Sequence, residues 1–101
     1  MLHILDTRPP ADAASAAFEF CVYRSPKDGE TVLGYLAPYG VVSDRRALWV
    51  KTDFGVPVAE AFLQTLGLAE HYGVETVWVN DPDGLFPPAA RPVRELREER
   101  P

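Results

Sequence analysis

The longest periodic segment of this chain runs from Pro57 to Tyr72, and it constrains the fold more than any other stretch. At helical spacing, Val58, Ala59, Phe62, Leu63, Leu66, Ala69 and Tyr72 share one broad arc, and Ala61 and Leu68 extend its flank. The apolar arc is roughly 220° wide, whereas a helix lying on a sheet needs about 100° or somewhat more. The polar remainder is narrow: Glu60, Gln64, Gly67 and His71. Such a helix touches two surfaces. One is a sheet. The other is either the C-terminal segment folding back through Leu85, Phe86, Val93 and Leu96, or another protein chain. Phe62, Leu68 and Tyr72 are therefore candidate partner-binding residues. Pro57 suits the first helical turn, Asp53 is a candidate upstream cap, and Gly73 suits a left-handed stop with Val74 making its apolar contact.

Strand patterns surround this helix. Leu2-His3-Ile4-Leu5 reads as a buried strand ending at Asp6, with His3 expected as a hydrogen-bonded core histidine. Ala11 to Ala17 is alanine-rich, with Asp12 in its first turn, and predicts a short N-terminal helix. Phe18 to Tyr23 alternates, placing Phe18, Phe20 and Val22 on one face. Ser25-Pro26-Lys27-Asp28-Gly29 is a turn, because proline pre-sets φ, aspartate bonds its own backbone and glycine accepts the left-handed region. Thr31 to Ala37 returns as the antiparallel partner. After the break at Pro38-Tyr39-Gly40, Val41-Val42 and Ala47 to Lys51 flank a second hairpin loop at Ser43 to Arg46. Glu75 to Asn80 forms a last strand. The order implies an α+β (or α/β) fold. Its expected form is a single-layer mixed sheet of four to five strands with the helix of residues 57–72 packed on one face. A single compact domain over residues 1–84 and a Pro/Arg/Glu-rich tail over 85–101 complete the expectation.

Composition narrows the function classes. The chain has 101 residues, 47% hydrophobic and 25% charged, the balance of an ordinary soluble globular protein. No apolar run approaches the ~20 residues of a membrane-spanning helix. The first residues lack the basic and apolar regions of a signal peptide, so a cytoplasmic protein is expected. One cysteine, Cys21, forms no intramolecular disulfide and builds no Cys-rich zinc site. The net charge of −5 is spread as −2, −2 and −1 over residues 1–40, 41–80 and 81–101, which disfavours nucleic acid as a partner.

Three expected strands end in an aspartate: Asp6, Asp53 and Asp81. Carboxylates gathered at one sheet edge can hold Mg²⁺ and a phosphate ester, although aspartate also commonly follows strands because it caps and turns the chain. Asp81-x-Asp83-Gly84 opens like a calcium loop but lacks its later ligands, with Pro92 where the twelfth-position glutamate belongs. Cys21 reads as a small buried hydrophobe and His71 as a structural residue of the last helical turn. No metal-nuclease acid precedes Lys51 at the required spacing, since Trp49 stands there, and no cofactor motif is found. Arg45 and Arg46 stand at a hairpin tip near Trp49, Tyr39 and Tyr35, a composition enriched at protein interfaces. The reading is a small non-catalytic accessory or regulatory protein that binds a protein partner or self-associates. The alternative is a Mg²⁺-dependent phosphate-ester enzyme using Asp6, Asp53 and Asp81. Single-stranded nucleic acid on Arg45, Arg46, Trp49 and Tyr35 is a weaker third.

Overall fold

A computed structural model describes residues 2–10, 16–43 and 46–86. Its elements are β1 (His3–Leu5), β2 (Ala17–Arg24), β3 (Val32–Leu36), β4 (Tyr39–Ser43), β5 (Arg46–Val50), β6 (Val56–Pro57), α1 (Val58–Tyr72) and β7 (Thr76–Asn80). The main sheet has five strands in the order β1-β7-β2-β3-β6, and β4 and β5 form a separate two-stranded sheet. β1 and β2 each run parallel to β7, while β3 is antiparallel to both β2 and β6. The architecture is thus the expected α+β arrangement of one helix on a mixed sheet. Residues 11–15 of the expected N-terminal helix and most of the tail lie outside the described residues, while Ala17, expected to end that helix, opens β2.

The β2–β3 hairpin forms because its turn supplies its own hydrogen bonds. Gly29 N–H donates to the Ser25 carbonyl at 2.8 Å, with Gly29 at φ 69°. The Asp28 carboxylate accepts from the N–H groups of Glu30 and Thr31 at 2.8 and 3.0 Å and from the Thr31 hydroxyl at 2.6 Å. Those three donors hold the Asp28 carboxyl down at about 2.

On β2, Phe18 and Phe20 are fully buried, and they meet Val77, Val79, Leu36, Phe62 and Leu66 in one core. β3 approaches this core closely at Gly34, where a Cβ would stand 2.5 Å from the Phe20 ring. Only glycine fits there. α1 lies mainly over β3 and buries Ala61, Phe62, Thr65, Leu66 and Ala69. It ends as expected, with Gly73 left-handed at φ 70° and Val74 N–H returning to the Ala69 carbonyl at 2.8 Å. Its start differs from expectation. Pro57 is the first-turn boundary, and no side chain caps it, so Asp53 has no capping role.

Part of the wide apolar arc of α1 is covered within the chain. Phe86 packs against Phe62 at 5.1 Å and Phe20 at 6.1 Å between ring centroids. Tyr39, Val41 and Val50 of the second hairpin join the same core, and Leu68 and Tyr72 are half-buried against it. Phe86 thus takes up part of the surplus apolar surface of the helix. Leu63, at 62% exposure, is the large apolar side chain left bare on the helix. The boundary drawn at Gly84 leaves two residues packed on the core, Leu85 and Phe86, on the tail side.

Candidate functional site

Alternation along β2 puts Glu19, Cys21 and Tyr23 on the face opposite Phe18, Phe20 and Val22. Register extends that face across the sheet. Glu19 pairs with Trp78, Cys21 with Asn80 and Tyr35, Tyr23 with Leu33, and Leu5 with Trp78. Among the described residues no helix lies on this side. Ala17 and Leu33 are buried within it, but Glu19, Cys21, Tyr23, Tyr35, Trp78 and Asn80 are only half-buried.

One side of the face is aromatic. Tyr35 and Phe54 stand 4.6 Å apart and Tyr23 and Tyr35 5.8 Å apart, both in tilted or edge geometry. The chain after β5 builds this row by running beside β3: the Thr52 hydroxyl accepts from Leu36 N–H at 2.7 Å, and the Tyr23 hydroxyl accepts from Gly55 N–H at 3.1 Å. Phe54 is thereby held over Tyr35 yet stays 68% exposed.

The middle of the face is polar and internally bonded. Asn80 Nδ2 donates to Glu19 Oε2 at 2.8 Å, and Cys21 Sγ donates to the same oxygen at 3.5 Å. Burial, reinforced by the Glu19 carboxylate, pushes the Cys21 thiol up to about 11. The Tyr35 phenol is also shifted upward, chiefly by its hydrogen bond with Cys21. A thiol of this kind stays protonated near neutral pH and is a weak nucleophile. Cys21 is thus a half-buried surface thiol, where the sequence suggested a buried hydrophobe.

At one end of the face a groove of about 270 Å³ is lined by Arg8, Ala17, Glu19, Ala37, Pro38, Tyr39, Gly40 and Trp78. Gly40 also seats Trp49, whose ring carbons stand 3.6 Å from where a Cβ would lie. Trp49 itself is 74% exposed on the second hairpin.

The residues expected to act fall into different places. Phe62 is 1% exposed and belongs to the core, so it offers no surface to a partner. Leu68 and Tyr72 pack partly on the same core. Trp49 keeps its exposed position, Arg46 opens β5, and Arg45 lies outside the described residues. His3 is exposed, not a core histidine, because β1 alternates and only Ile4 turns inward. His71 is exposed at the helix end with its ring 4.8 Å from Tyr72.

The three aspartates do not assemble. Asp6 and Asp81 follow the parallel neighbours β1 and β7, but Asp53 follows β5 of the separate hairpin. Among the described residues no three His, Cys, Asp or Glu side chains come together to hold a metal ion. Asp81 instead secures the chain that follows β7, where its carboxylate accepts from Leu85 N–H and Phe86 N–H, each at 2.8 Å. That clamp directs Phe86 into the core.

No helix among the described residues is long and apolar enough to cross a membrane. Comparison with known proteins returns no match to any family model, curated protein or solved structure.

Proposed function

We propose that the chain is a small non-catalytic accessory or regulatory protein that binds a protein partner through the helix-free face of its main sheet. The observation that carries this reading is the apolar content of that face: Tyr23, Tyr35 and Phe54 in one ring row, with Trp78 and Leu5 beyond the polar strip. Aromatic side chains on a rigid sheet supply contact area at little entropic cost, and rings interleaved with polar groups are enriched at interaction sites. Trp49, exposed on the separate hairpin, is a further large apolar side chain open to a partner. The polar groups of the strip support a binding role over a chemical one. Glu19 serves as acceptor for Asn80, and Cys21 is held protonated.

Affinity capture from the native host with quantitative mass spectrometry tests this with the wild type and three variants of the chain. A protein retained by the wild type and by Leu63→Glu on the helix, but lost with Phe54→Glu and with Trp78→Ala, is the expected result. Light scattering on the same variants identifies the case in which that partner is a second copy. A partner lost with Leu63→Glu and kept by the two sheet variants overturns the assignment of the face.

A further inference from the structure

We propose that the groove beside Glu19 and Trp78 is the anchor of this surface, and that it takes a basic side chain of the partner, arginine in preference to lysine. The inference rests on the reading of the helix-free face as a binding surface and adds the partner's chemistry to it.

Glu19 sits in the middle of the sheet, half-buried, with β7 on one side and β3 on the other. Its two hydrogen-bond donors, Asn80 and Cys21, are neutral, and both use Oε2. Among the described residues no cation pairs with this carboxylate. Arg8 lines the same groove but makes no ion pair with it. A carboxylate partly withdrawn from water gains from a cation that reaches it. The bond from Asn80 fixes the orientation of the carboxylate, which is what a forked guanidinium donor requires.

Trp78 supplies the second half of the recognition. It is the direct cross-strand neighbour of Glu19, so its indole and the carboxylate line one groove. A guanidinium stacks on an indole face while its edge donates to a carboxylate; a lysine ammonium does only one of these well. The groove's volume of about 270 Å³ suits one long side chain and falls short of a cofactor or nucleotide site. Arg8 places a positive charge on the same lining, which favours a basic residue with an acidic neighbour over a run of basic residues. The net charge of −5 adds long-range attraction for a basic partner.

An NMR titration reads this directly, with N-acetyl-arginine amide as probe and the uncharged N-acetyl-citrulline amide, nearly the same in shape, as control. The Trp78 indole N–H and the Ala37 amide are expected to shift saturably with the arginine probe, and to respond roughly tenfold more weakly to citrulline. Glu19→Gln keeps an acceptor for Asn80 and is expected to weaken the arginine response by a similar factor. Trp78→Leu, followed at Ala37, is expected to weaken it as well. Equal responses to the two probes, an unchanged arginine response in Glu19→Gln, or no saturable shift at Trp78 overturns the proposal. If that happens while Phe54→Glu still abolishes partner capture, the anchor is wrong and the binding face stands.

Discussion

The two faces of β2 are built from one strand of eight residues and follow different rules. Phe18, Phe20 and Val22 turn toward the helix with 0%, 0% and 6% exposure and pack in the core. Glu19, Cys21 and Tyr23 turn the other way, half-buried, held by hydrogen bonds and ring contacts along the sheet and covered by no helix among the described residues. The first face stores stability. The second is ordered and bears no helix among the described residues, and that combination suits a surface that meets another molecule.

Substitutions that separate the two faces break or sharpen this contrast. Phe20→Ala is expected to cost about 3–5 kcal/mol, a large part of the roughly 5–15 kcal/mol that holds a small domain folded. Trp78→Ala on the other face is expected to cost about 1 kcal/mol. Urea denaturation checks both, and equal losses would erase the distinction. Asp81→Ala removes the acceptor of two backbone donors and is expected to cost about 2 kcal/mol, with the Phe86 ring resonances losing their dispersion in NMR spectra. Two glycines sharpen the contrast next. Gly34→Ala forces a methyl into the buried Phe20 ring and is expected to cost about 1–3 kcal/mol. Gly40→Ala meets the Trp49 ring at an ordinary contact distance and is expected to stay within about 1 kcal/mol of the parent.

The pH effects are smaller and opposite in sign. Burial raises the Cys21 thiol from its ordinary 9.0 to about 11, so its contribution to stability is complete below pH 9 and disappears as pH rises through 11. Its alkylation rate by iodoacetamide is expected to keep climbing beyond about pH 10, where an ordinary thiol has levelled off. For Asp28 the carboxyl is lowered from 3.8 to about 2, so its contribution is present above pH 3.8 and fades as pH falls through 2. An NMR titration of its side-chain carbon reads that midpoint, and Asp28→Asn removes the dependence.

Much of the fold is legible in the sequence because its signals are local. The alternation of Phe18 to Val22, the turn at Pro26 to Gly29 and the stop at Gly73 each carry their own backbone chemistry, and each lies where the pattern puts it. His3 misleads because four apolar or near-apolar residues in a row look buried on both sides, whereas β1 is an edge strand with one covered face. Part of the wide arc of α1 is covered by Phe86, and helical periodicity cannot tell intramolecular cover from a partner. The candidate site is the least legible part. Glu19 meets Asn80 across 61 positions of sequence, and Phe54 reaches Tyr35 where Thr52 ties the chain to Leu36 and Gly55 ties it to Tyr23. Nothing local announces either contact, although the paired polar and aromatic residues facing away from Phe18 and Phe20 could have drawn attention to that side of β2.

The central claim is that the helix-free face, rather than the helix, meets another protein, and site-specific photo-crosslinking in living cells tests it most directly. With benzoylphenylalanine in place of Phe54 or Trp78, a discrete crosslinked species of higher mass is expected, and in place of Leu63 none. A crosslinked species from position 63 alone would contradict the account.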